Sequence, residues 1–148
     1  ATDETMEYTP VFREVKVEIC KTETYMGPGV YTFADLFCET LQEQTGEDIS
    51  EDEMFEYIEE NGSEYLYDEL DNSGHWILGY PYFTQEDPRG YREDAPYYDT
   101  LLFQMDSEMR QRVDYVLWGD CGVANFFMNE AALKEKKFDK VMYNWDCG

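Results

Sequence analysis

The chain has 148 residues, with 34 Asp and Glu against 11 Lys and Arg, a net charge of −23 and an aromatic share of 17%. Its length suits a single domain, residues 1–148, with a core of its own, and 13 Tyr, 9 Phe and 3 Trp argue against a disordered acidic chain. So negative a chain repels nucleic acid and anionic lipid; with no membrane-length apolar run and no basic, apolar-cored leader, the expectation is a cytoplasmic protein with no membrane contact and no direct nucleic-acid contact.

In chain order, Val11 to Cys20 alternates apolar and polar residues closely enough to predict a half-buried strand. Gly27-Pro28-Gly29 breaks the chain, after which Thr32 is placed to cap a helix whose Phe33, Leu36, Phe37 and Leu41 share one face, with Gly46 ending it. Ser50 and Glu53 form a capping box, and Ile49 and Met54 hold the staple positions. The helix so started directs Met54, Phe55 and Ile58 to the core, leaves Glu51, Asp52, Glu56, Glu59 and Glu60 in water, and stops at Asn61-Gly62. A short helix is expected from Ser63 to Leu70, followed by aromatic-rich strand and turn sequence from Gly74 to Arg89.

Leu101 to Asp106 reads as a strand with Leu101, Phe103 and Met105 on one face and Leu102, Gln104 and Asp106 on the other. Trp118 to Phe127 reads as a hairpin, because Gly119 and Gly122 supply the positive φ angles of a tight turn between two apolar runs. Large aromatics beside such a turn pack into the sheet they enter, so Trp118 and Phe127 should be buried. Asn129 caps a short helix with lysines at its C-terminal end, and Val141, Tyr143 and Trp145 alternate as a closing strand.

Gly79-Tyr80-Pro81 through Arg89, Leu101 through Asp106, Trp118-Gly119-Asp120-Cys121-Gly122 through Phe127 and the ending Phe138 through Cys147 resemble, in order and spacing, the blocks of the YwqG-like family, a domain of unknown function. The resemblance covers residues 74–147 and, less closely, the two acidic helices, and implies an α+β fold, mainly antiparallel twisted sheet with short acidic helices packed on it. Similar proteins usually carry a further N-terminal portion, so the chain is expected to hold mainly the C-terminal half. No reaction is implied.

Cys20, Cys38, Cys121 and Cys147 lie far apart, and one His is too few for an ordinary zinc site, so free thiols and no metal or cofactor are expected. His75 and Cys121 are the one Cys-His combination for a nucleophile, with Asp106 or Asp120 as orienting carboxylate; the competing role for Cys121 is a small turn hydrophobe. Asp106, Asp120 and Glu86 or Asp87 also supply carboxylate pairs, or with His75 an oxygen-rich metal site. The segment Glu69 to Gly74 starts like a calcium loop but has Tyr80 where the bidentate Glu belongs. Gln85, Arg89, Gln104, Asp106, Asp120 and Asn125 either satisfy buried backbone groups or line a ligand pocket, and the first role is expected.

Between Thr22 and Pro88 there are 18 acidic residues and no Lys or Arg. That asymmetry favours a binding protein over an enzyme, one that docks a basic protein surface through Glu51, Asp52, Glu56, Glu59 and Glu60, as an immunity protein docks a toxin. The alternatives are a nucleic-acid mimic that inhibits a DNA- or RNA-binding protein, and a hydrolase or small-ligand protein using His75, Asp106 and Asp120.

Overall fold

A computed structural model of the chain describes residues 9–62 and 69–148. Two helices come first, α1 (Phe33–Thr45) and α2 (Glu51–Asn61). Short 3-10 turns follow at Pro88–Tyr91 and Ala95–Tyr97. The rest is β1 (Thr100–Asp106), β2 (Glu108–Arg110), β3 (Val113–Val116), β4 (Val123–Met128), the one-turn helix α3 (Glu130–Lys134) and β5 (Met142–Asp146). All strand pairs are antiparallel, in a three-stranded sheet ordered β1-β4-β5 and a β2-β3 hairpin. The fold is therefore α+β, as the sequence implied.

The second helix begins as its sequence dictates. Ser50 N–H and Ser50 Oγ both donate to Glu53 Oε2, at 2.9 and 2.7 Å, and Ile49 packs with Met54 in one apolar cluster. That cluster is built on Val30, Phe33, Met54 and Ile58, with Phe37 and Leu70 against it. Phe55 departs from expectation: it is 49% exposed, because its position turns it beside the α1–α2 seam and not into it. Thr32 stands at the N-cap of α1, but its side chain caps nothing; its hydroxyl lies 3.9 Å from Met26 Sδ. Leu36 is likewise exposed, while Gly46 closes α1 in the left-handed conformation at φ 81°. The helix expected over Ser63–Leu70 falls mostly outside the described residues.

Val11 to Cys20 is not a strand. It makes one bridge, Val11 to Val116, with Phe12 N–H donating to Tyr115 O and Leu117 N–H to Pro10 O. Beyond that the short edge of β3 offers no more partner backbone, so the alternating residues stay in water, with Ile19 76% exposed. The segment from Gly74 to Arg89 also forms no ladder; Trp76 makes a single bridge to Gln104, and the rest crosses the sheet as irregular chain.

Sheet alternation fails at one place in β1. The register shifts between Leu101 and Phe103, so Leu101 pairs with Phe127 and Phe103 with Phe126. This bulge puts Leu101 on the opposite face from Phe103 and Met105. One face then joins Leu101, Phe127 and Met142 beneath Phe83, and the other joins Phe126, Met105 and Ala124 beneath Trp118 and Val116. In β5 the buried apolar residue is Met142, not the Val141, Tyr143 and Trp145 set; Tyr143 and Trp145 lie on the half-open second face, where they approach Trp118 at 6.2 Å between ring centroids.

The Trp118–Phe127 stretch holds Trp118 and Phe127 buried, at 6% and 0% exposure. It is a turn between sheets more than a hairpin, since β3 pairs with β2 and β4 with β1 and β5, and a lone Trp118–Gly122 bridge closes it. The positive φ angles belong to Gly119 and Cys121, at 55° and 66°. Gly122 serves a different need: a Cβ there would overlap the Asp146 carbonyl oxygen and stand 2.7 Å from Cys147 Cβ, so only glycine lets the chain end lie against the turn.

Candidate functional site

His75 does not meet Cys121. Its Nδ1 accepts the Asp106 backbone N–H at 3.2 Å, and its Nε2 lies 3.4 Å from Glu108 Oε2, so both ring nitrogens are engaged. Arg110 lies 2.5 Å from the other oxygen of Glu108, and that guanidinium first, with His75 adding less, holds the Glu108 carboxyl below its usual range. The Asp106 carboxylate accepts Gly74 N–H at 2.6 Å and Ser107 N–H at 2.7 Å, a turn-fixing role. Cys121 and Asp120 are exposed on the turn, and all four cysteines are free. The nucleophile arrangement is thus not assembled: both ring nitrogens of His75 are taken up by the Asp106 backbone N–H and by Glu108, which no sequence pattern marks. Among the described residues no group of three His, Cys, Asp or Glu side chains is placed to hold a metal ion, and no helix is long and apolar enough to cross a membrane.

Of the polar residues of the blocks, Gln104, Asn125 and Arg89 are buried, whereas Gln85 and Asp120 are exposed. Gln104, fully buried, accepts Tyr82 N–H at 2.8 Å and donates to Asn72 O and Gly74 O at 2.8 and 2.9 Å. Asn125, beside it on β4, donates to Tyr82 O at 2.8 Å. Gln85 donates to Cys147 O, and Arg89 to Tyr98 O. Crossing chain without a ladder leaves orphan backbone groups, and these side chains satisfy them. Arg89 does more: it pairs with buried Asp87 at 2.7 Å, and its guanidinium lies 4.3 Å from the Phe127 ring centroid and 5.2 Å from that of Tyr31. Asp87 also accepts Tyr31 N–H at 3.3 Å, so this pair ties the α1 end of the chain to the sheet.

On α1 and α2 the carboxylates have no such partners. Glu51, Asp52, Glu56, Glu59 and Glu60 are all exposed, as are Asp35, Glu39 and Glu43 of α1. The ion pairs of the described residues join Asp87, Asp94, Glu108, Glu130 and Glu135 to bases, and none reaches either helix. The crowding is felt locally: a hydrogen bond to the Asp35 side chain, and then its charge, pushes the Glu51 carboxyl up. Burial pushes the Cys38 thiol up, with Glu51, Asp35 and Asp48 adding to it.

Two clefts meet beside this face. One, of about 740 Å³, lies between the Pro88–Tyr91 turn and β5, and the other, of about 510 Å³, runs under α2. Gln85, Glu86 and Tyr91 line both. Of the catalytic candidates named from sequence, His75, Asp106, Asp120 and Cys121 touch neither cleft, whereas Glu86 lines both and Asp87 the second. Sequence reasoning did not single out Tyr91 and assigned Phe55 to the core, yet both are exposed at the second cleft.

No protein of curated function matches the chain. The family described as a domain of unknown function, DUF1963, matches residues 3–147, which takes in the acidic helices as well as the C-terminal blocks. The chain belongs to that family.

Proposed function

We propose that the protein acts by binding, presenting the exposed acids of α2 to a basic surface on another protein in the cytoplasm. The observation that carries this reading is that among the described residues no ion pair reaches the α1 and α2 carboxylates, so their charge faces solvent. A solvated face usually mixes both signs of charge; this one holds a single sign over two helices, and such a field steers encounter with a cation-rich surface. A basic toxin such as a nuclease has that chemistry, and occupying its basic surface would neutralise it. The engagement of both His75 nitrogens within the protein supports a binding role over a hydrolytic one.

The test is capture from an extract of its own cells, followed by kinetics on the recovered protein. Shortening the Debye length from about 30 Å at 0.01 M salt to about 8 Å at 0.15 M should slow association about tenfold and leave dissociation nearly unchanged. Glu56→Lys, Glu59→Lys and Glu60→Lys together place cations toward the C-terminal end of α2, where its dipole tolerates them, and should slow association further. A salt-independent on-rate, unchanged in that variant, refutes the reading.

A further inference from the structure

The cleft between the Pro88–Tyr91 turn and β5 is lined by Gln85, Glu86, Tyr91, Asn144, Trp145 and Asp146, and by no Lys or Arg; the Trp145 ring itself lies on the other face of the sheet, beside Trp118. Tyr91 is 75% exposed, and its hydroxyl donates to the Glu86 carboxylate, which holds the two side chains together and pushes the phenol up. Asp146 Oδ2 accepts the Thr84 hydroxyl at 2.9 Å and Gln85 N–H at 2.7 Å, while its Oδ1 is buried without a hydrogen-bond partner. One buried acceptor behind the wall therefore has no donor among the described residues. The nearby base, Arg89, is buried and already paired with Asp87, so nothing in the segment neutralises the cleft. Across Tyr91 the second cleft continues under α2 with an apolar lining that includes Val30, Met54 and Phe55.

We propose that this groove seats an arginine of the basic partner in its β5 half and an adjoining apolar side chain of the same partner segment in its α2 half. The inference rests on the basic-partner reading above and names where that partner is gripped. A guanidinium stacks flat on an aromatic ring and offers several donors in one plane, which suits a cleft that sets the exposed Tyr91 ring beside the Glu86 carboxylate, with Asp146 adding its charge from behind. A lysine has the charge without the plane. The apolar half, with half-exposed Phe55 at its rim, supplies the desolvated contact that the acidic face cannot, and the acids of α2 form the charged border.

The test uses the full chain and two probes, the acetylated and amidated tripeptide leucyl-arginyl-leucine and its citrulline counterpart, which keeps the shape and loses the charge. Amide NMR titration should move Gln85, Glu86, Tyr91, Asn144 and Asp146 with the arginine peptide and not with the citrulline peptide. Glu86→Gln with Tyr91→Ala, both at exposed positions, should weaken the arginine peptide about tenfold without altering the melting temperature. The three α2 lysine substitutions should weaken it less than about threefold, being a long-range screening effect. Shifts confined to the exposed acids of α1 and α2 with Gln85, Glu86 and Tyr91 unmoved, equal binding of citrulline, or no loss in the double variant overturns the groove and leaves the acidic face standing. Groove binding together with salt-insensitive capture has the opposite meaning: it upholds the groove and removes the steering role of α2.

Discussion

Around α1 and α2 the carboxylates face water and crowd one another, whereas around β4 the polar side chains are buried and hold backbone groups of the chain that crosses the sheet. Glu51 and Asp35 illustrate the first condition, Gln104 and Asn125 the second. The difference teaches where each part can be altered. Removing an exposed acid from α2 takes away repulsion as well as charge, so the fold tolerates it; removing a buried polar group from the sheet strands its partners in a dry interior.

The sharpest break in that contrast comes from Asp87→Ala. It leaves Arg89 buried against Phe127 and Tyr31 with its counter-charge gone, and should cost about 3–5 kcal/mol in urea denaturation, whereas Asp52→Ala on α2 should stay within about 0.5 kcal/mol. Equal losses in the two variants would erase the distinction between the regions. Next in size is Gly122→Ala, whose new Cβ meets the Asp146 carbonyl and Cys147; the loss expected is about 1–3 kcal/mol. Gly46→Ala, with nothing within 4 Å of the new atom, carries only the left-handed backbone penalty of about 1 kcal/mol.

Within the helical region, Ser50→Ala removes one arm of the capping box and should cost about 1 kcal/mol by denaturant melts, a loss that an unchanged midpoint would refute. The smallest effect is a pH dependence. The Glu51 carboxyl is raised in the folded chain, so the stability that its protonated form contributes is fully present below the unfolded pKa and is lost as pH rises through the folded value. Glu53 runs the other way: its hydrogen bonds from the Ser50 hydroxyl and backbone lower it, and its contribution is present above the unfolded pKa and lost as pH falls through the folded one. Side-chain carboxyl NMR titration should place Glu51 above Glu53, and Asp35→Asn should bring Glu51 down while leaving Glu53 in place.

Signals that act within a few residues were legible in the chain. The capping box at Ser50, the Gly46 stop, the Asn129 cap, whose side chain accepts from Ala131 and Ala132 N–H, and the strands at β1, β4 and β5 all follow local rules. Where a second segment decided the outcome, the same rules failed. Val11 to Cys20 has strand alternation but meets only one bridge's worth of edge, and Leu101 is turned away from Phe103 by a bulge that its own sequence does not announce.

The candidate site divides in the same way. The sequence by itself determined the excess and the one-sided placement of the acids, and their exposure on α2, because a helix of known start has a known solvent face. It also set out Gln104, Asn125 and Arg89 as polar residues in need of a role. Only the tertiary structure decided that His75 turns to Glu108 and not to Cys121, that Arg89 is buried against Phe127 and Tyr31, and that Phe55 and Tyr91 are left at the rim of one groove. Charge and periodicity belong to each residue and its near neighbours, whereas a partner is a distance in space, set when the crossing chain from Trp76 to Arg89 packs across β1 and β4.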